Sequence, residues 1–181
     1  MKKMVLASFM ATALLATDNQ DFVHFSVGNA KLTGSTSTVG ASADFDTDGT
    51  QYTLGLGHYY GDSGRVYAAY TYIDRETGVD KADAFSLGYD FLLPVSEKTF
   101  SLYAGPVIGY TRYEEPGIDL SGFHYGGQVG ALIRITENIE IDGGYRYVFE
   151  TGSQDVSILG VNVNVDADDV KMWYVGANYR F

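Results

Sequence analysis

The sequence predicts an all-β chain, a closed eight-stranded antiparallel up-and-down transmembrane β-barrel, and three observations carry that prediction. From Phe22 onward the apolar residues recur at every second position, with no sustained helical periodicity. The alternation falls into eight segments of about ten or more residues, the length of a tilted strand crossing about 25–30 Å of hydrocarbon. The connections between them alternate between short and long. Composition agrees, since 15 Tyr, 10 Phe and only 3 Pro in 181 residues suit regular strands. The absence of Cys removes disulfide scaffolds, thiolate metal sites and cysteine nucleophiles from consideration. A net charge of −11 argues against nucleic acid as a partner.

Residues 1–16 stand apart from this pattern. Lys2 and Lys3 precede an unbroken small and apolar run of about 12 residues, too short to span a bilayer as a helix. This is the pattern of a secretory signal peptide, with cleavage after Ala13 or Ala16. Cutting after Ala16 gives a polar start at Thr17 and leaves 17–181 as the barrel domain.

The eight expected strands are 21–32, 50–60, 65–74, 84–93, 98–112, 122–135, 138–150 and 170–181. Tyr52 and Tyr60 place aromatics near both ends of the second. Reflection of strands two and three about Ser63 pairs Tyr60 with Val66 and His58 with Ala68 on the outer face, and Tyr59 with Tyr67 inside. Pro106 is a missing donor in the fifth strand, and a bulge beside Gly105 is expected to absorb it. In the sixth, Phe123, Tyr125, Val129, Ala131, Ile133 and Ile135 oppose His124, Gly126, Gln128, Gly130 and Arg134. In the seventh, Ile139, Ile141, Tyr145, Tyr147 and Phe149 oppose Glu140, Asp142, Gly144, Arg146 and Glu150. Reflection about Glu137 pairs Ile133 with Ile141 and Arg134 with Glu140, so that apolar meets apolar and base meets acid. In the last strand Trp173, Val175, Ala177, Tyr179 and Phe181 share the outer face. Tight turns are expected at 61–64, 94–97 and 136–137, and longer polar loops at 33–49, 75–83, 113–121 and 151–169. Within the last loop, Ser157 to Val165 interrupts the polarity and is expected to form a protruding hairpin.

Tyr103-Ala104-Gly105-Pro106-Val107-Ile108-Gly109-Tyr110, Tyr145-Arg146-Tyr147 and the terminal Gly176-Ala177-Asn178-Tyr179-Arg180-Phe181 carry a family resemblance. The chain resembles the small outer-membrane β-barrels that include OmpA-type transmembrane domains and opacity-type surface proteins. That resemblance implies a bacterial outer membrane, both termini periplasmic, and a terminal strand whose Tyr179 and Phe181 form the signal read by the outer-membrane assembly machinery.

Several polar groups are candidates for function. Arg134, Glu140, Asp142, Arg146 and Arg180 form an expected lumen network, with Glu140 and Asp142 between Arg134 and Arg180, and Arg65 and Asp90 as further inward residues. Asp44, Asp46 and Asp48, ahead of Gly49, resemble the opening of a calcium loop and form an expected weak divalent-cation site for calcium or magnesium. Gly55 stands where such a loop would carry its final Glu. Further acidic residues, among them Asp83, Glu114, Asp155, Asp166, Asp168 and Asp169, populate the outer loops. They suit lipopolysaccharide bridged by divalent cations, or an extracellular protein partner. His24-Phe25-Ser26 is the only His-x-Ser pair, with no acid partner evident in the sequence and no catalytic residue assigned.

These readings give a monomeric barrel without a resident cofactor, with a structural or surface-interaction role in adhesion or scaffolding. The alternative is a narrow porin-like ion channel gated by the lumen ion pairs.

Overall fold

The computed structural model describes residues 20–38, 41–75, 81–96, 99–114, 121–158 and 161–181. The expected leader and parts of the long loops, including Glu76, Asp80, Glu115 and Asp119, lie outside the described residues. The described residues form nine strands: β1 (Asp21–Thr38), β2 (Ala41–Tyr60), β3 (Gly64–Arg75), β4 (Lys81–Ser96), β5 (Phe100–Glu114), β6 (Gly122–Arg134), β7 (Ile139–Glu150), β8 (Ser153–Ile158) and β9 (Val161–Arg180). β1 to β7 follow one another antiparallel around the wall, β7 pairs with β9, and β9 pairs with β1. Eight strands therefore close the barrel as expected, and among the described residues short β8 pairs only with the upper part of β9.

Two connections read as loops are strand. The 33–49 segment continues β1 and β2 as one paired hairpin up to Thr38 opposite Ala41. Asp44, Asp46 and Asp48 consequently lie along an extended strand, opposite Ser35, Thr33 and Lys31. Alternate residues of a strand point one way but advance along it, so these carboxylates do not wrap around a common point as a calcium loop would require. Lys31–Thr38 pair residue for residue with Ala41–Asp48, and the β-branched Thr33, Thr36 and Thr38 on β1 suit a pleated surface well. In the 151–169 segment, β8 and β9 pair from Ser153 opposite Asp166 to Ile158 opposite Val161, which is the protruding hairpin. A bulge at Asp168 lies where Thr33 pairs with Asp169 and Gly34 with Ala167.

Register follows the sequence in one tested hairpin and slips in the other. Arg134 faces Glu140 and Ile133 faces Ile141, as the reflection about Glu137 requires. At the first turn Tyr60 faces Gly64 and His58 faces Val66, two residues tighter than the reflection about Ser63. Gly61 adopts φ +61°, a left-handed conformation that costs glycine little, and this permits the shorter turn. An even slip leaves every side chain on its expected face. Pro106 needs no bulge: Gly88 faces Val107 and Phe91 faces Ala104 in the same register on either side of it. The ladder skips the intervening pairs. Gly105 lets the strands approach there, since a Cβ on it would lie 1.8 Å from the Tyr89 carbonyl oxygen.

The two faces of the wall are chemically opposite. Phe25, Val27, Leu54, Leu87, Ile108, Val129, Ile141 and Val175 face outward, most of them well exposed. Tyr60, Phe91 and Tyr179 edge this belt toward the termini, and Tyr52, Tyr110, Phe123, Phe149 and Trp173 edge it at the far end. An apolar belt around the whole molecule is stable only against hydrocarbon, and its aromatic edges match the two membrane interfaces. Above the far edge the outward residues turn polar, with Lys31 on β1, Asp46 and Asp48 on β2 and Lys171 on β9.

Val129→Arg, in the middle of the belt, is expected to cost about 2–4 kcal/mol. Ser42→Arg, exposed above the belt, is expected to leave stability within about 0.5 kcal/mol of wild type. Urea titration of the barrel in lipid vesicles measures both.

Candidate functional site

The lumen is filled in layers, and the pleat explains which residues fill it. Even-numbered positions of β1, β4, β6, β7 and lower β9 point inward, as do odd-numbered positions of β2, β3 and β5. At the end carrying the termini, Glu140 of β7 is the hub. Its Oε1 accepts hydrogen bonds from Arg134 Nε at 3.0 Å and Arg180 Nη1 at 3.1 Å, and its Oε2 accepts one from the Tyr59 hydroxyl. The Arg180 guanidinium also lies 4.4 Å from the Tyr59 ring centre. Below this cluster opens a cavity of about 440 Å³ bounded by Asp62, Leu92, Pro94, Thr99, Leu132 and Arg134. The Phe22 ring packs on Tyr59 at 4.9 Å above it.

The middle layer holds four buried charges. Arg65 Nε donates to Asp90 Oδ2 at 2.8 Å, and Arg65 Nη2 donates to Asp142 Oδ2 at 3.0 Å. Tyr103 donates to the other Asp142 oxygen at 2.6 Å. Gln128 Nε2 donates to both Asp90 oxygens, while Gln128 Oε1 accepts from Arg146 Nη2 at 2.8 Å and Nε at 3.0 Å. Two guanidinium groups and two carboxylates thus offset one another, with no net charge across the layer. The layer is dry enough to fix its partners: Asp90, Asp142 and Arg65 are at most 3% exposed.

Above this layer lies a hydrogen-bonded one built on His124, Thr111 and Glu150. His124 contacts Ser86 Oγ through Nε2 at 3.0 Å and Thr111 Oγ1 through Nδ1 at 2.9 Å, and Thr111 donates to Glu150 at 2.9 Å. Thr53 and Thr71 share a hydrogen bond of 2.9 Å. Beyond it, Ala30, Leu32, Ile73, Ala82, Val148, Val170 and Met172 form an apolar cluster, with Phe45 and Val165 packed against it.

The structure thus brings Arg134, Glu140 and Arg180 together. Asp142 belongs elsewhere, paired with Arg65 across the lumen rather than between Arg134 and Arg180. Arg146 sits one layer up on Gln128, a partner the sequence did not suggest. The sequence places Tyr59 inside but gives no hydroxyl partner for it, nor for Tyr103 or Tyr174, because a tyrosine in an alternating strand gives no sign of which partner its hydroxyl meets. His24 and Ser26 point into the lumen, 3.0 Å apart, and an acid does lie near: Asp142 Oδ2 is 3.9 Å from His24 Nδ1. Ser26 is 2% exposed, and His24 Nδ1 is engaged by Asn178 at 2.7 Å.

Outside the wall, above the far aromatic edge, Lys31 Nζ lies 2.8 Å from Asp46 Oδ2. Their contact holds the Asp46 carboxyl below its ordinary range and the Lys31 ammonium above its own. Among the described residues no group of three or more carboxylates and histidines could hold a metal ion. Tyr179 and Phe181 lie on the outer face with their rings stacked at 6.4 Å.

The profile of the outer membrane protein beta-barrel domain matches residues 4–181. The chain belongs to this family. Its place is accordingly the bacterial outer membrane. Among solved structures, neisserial surface protein A is similar at 19% identity and a TM-score of 0.57, over 87% of this chain and 97% of that one. The outer membrane protein OprG of Pseudomonas aeruginosa is similar at 20% identity and a TM-score of 0.56, over 90% and 96%. The outer membrane protease OmpT of Escherichia coli is similar at 9% identity and a TM-score of 0.52, over 91% and 98%. At these identities the likeness is one of fold. No curated protein matches the chain.

Arg65→Met leaves Asp90 and Asp142 buried without their cation and is expected to cost about 3–5 kcal/mol. Arg134→Met, at the wetter mouth where its side chain is 28% exposed, is expected to cost clearly less. Equilibrium unfolding of both variants in vesicles provides the comparison.

Proposed function

We propose that the chain is an exported outer-membrane barrel with a structural or surface-interaction role, its termini in the periplasm and its far end outside the cell. The observation that supports this most is the lumen, obstructed at two separate levels. The Arg65–Asp90–Asp142 layer occupies its middle, and the Leu32–Val148–Val170–Met172 cluster occupies its far end. Ions would have to displace a buried, ion-paired layer and then cross an apolar one, and eight-stranded barrels have interiors that side chains fill.

Strand length supports the surface role. β1, β2 and β9 run well past the aromatic edge, so that the chain invests in structure beyond the membrane. The acidic residues there suit lipopolysaccharide bridged by calcium or magnesium, with Asp44, Asp46 and Asp48 as weak contributors, or an extracellular protein. We read the barrel as a monomer without a resident cofactor. Tyr179 and Phe181 are the residues we assign to recognition by the assembly machinery. Catalysis is not part of the reading, because the Ser26 hydroxyl beside His24 is buried.

A narrow channel is the second reading, and the cavity of about 440 Å³ beneath Glu140 favours it as a vestibule. Planar-bilayer recording of the refolded chain decides between them, with Glu140→Ala alongside. A folded barrel that stays silent in both forms is the expected outcome. Reproducible openings that change with Glu140→Ala would overturn the filled-lumen reading.

A further inference from the structure

Residues Ala41–Asp48 of β2 pair along their whole length with Lys31–Thr38 of β1, and with no described residue on their other side. β3 first meets β2 at Gly49, opposite Arg75. The described structure therefore has an open sheet edge above the membrane, with backbone N–H and C=O groups facing away from β1 along eight residues. Such an edge is a template for another strand.

The side chains on this edge select the strand. Asp44, Asp46 and Asp48 are exposed on one face, while Phe45 on the other packs against the apolar cluster and anchors the segment. Among the described residues only Asp46 of the three carries an ion pair, with Lys31 on the β1 side. A second copy of the same edge would set aspartate against aspartate, which directly opposed like charges disfavour. An incoming strand with Lys or Arg at alternate positions would instead place each cation about 4.5–5.5 Å, Cβ to Cβ, from a carboxylate-bearing residue.

We propose that the Ala41–Asp48 edge of β2 docks an extended segment of a partner protein carrying basic residues at alternate positions. The proposal rests on the surface-interaction reading and gives it a location and a partner chemistry. Main-chain pairing supplies the attachment, and the aspartates supply the selection.

A short synthetic peptide alternating threonine and lysine serves as the probe, titrated against the refolded barrel in lipid nanodiscs by fluorescence anisotropy. Binding is expected to weaken about tenfold for the Asp44→Asn, Asp46→Asn, Asp48→Asn triple variant. It is expected to vanish when the peptide's backbone amides are N-methylated, which keeps the charge and removes the ladder donors. Equal binding of the N-methylated peptide, or of a threonine–glutamate peptide, would overturn the docking edge. So would undiminished binding by the triple variant, whose folding is checked by heat-dependent electrophoretic mobility. Cells displaying the triple variant separate this inference from the reading beneath it. Host-protein adhesion that persists on them overturns the edge and leaves the surface role standing. Adhesion absent even from wild-type cells overturns both.

Discussion

In hydrocarbon there is no water to replace a lost backbone hydrogen bond, and each unpaired group costs several kcal/mol. Everything else in this chain is arranged around that constraint. β1 meets β9 from Phe22 opposite Arg180 upward, so the wall has no edge within the apolar belt. Closure brings the inward faces of eight strands together, and the space they enclose is too narrow to remain empty. The chain fills it with polar residues that pair with one another, and Arg65, Asp90, Asp142, Gln128 and Arg146 form the central part of that answer. Where the wall rises past the lipid, water is available again. There the rule relaxes, and β2 carries an unpaired edge among the described residues.

The sequence reveals the wall because a strand's period of two is a local property. Ile139, Ile141 and Phe149 against Glu140, Asp142 and Glu150 needs no knowledge of the rest of the chain. Contacts between hairpin neighbours are nearly as legible, which is why Arg134 with Glu140 could be read from a single turn. Contacts across the lumen are not legible in this way. Arg65 and Asp142 are far apart in sequence and meet only because the barrel has a particular circumference and tilt. The same holds for Tyr103 on Asp142.

Turn and loop chemistry misled in a different manner. Asp44-Phe45-Asp46-Thr47-Asp48-Gly49 looks like a loop by composition, since Asp and Gly are poor strand formers. Pairing with Lys31 to Ser35 overrides that propensity, and packing of Phe45 against the apolar cluster gives the inner face a reason to stay. At Pro106 the expectation of a bulge overlooked that a missing donor can be left as a gap in the ladder when the neighbouring backbone can close in at Gly105.

The apolar cluster at the far end gives the molecule two kinds of interior. Alongside the belt, the outer surface exchanges water for lipid, and the inner layers hold by ion pairs and hydrogen bonds. Around Leu32, Val148 and Val170 the chain instead buries apolar surface as a water-soluble domain does. Burial of that kind carries a large heat-capacity change and weakens on cooling. The far end and the middle of this barrel are therefore held by forces with different temperature dependence, so that a single melting midpoint averages over two unlike cores.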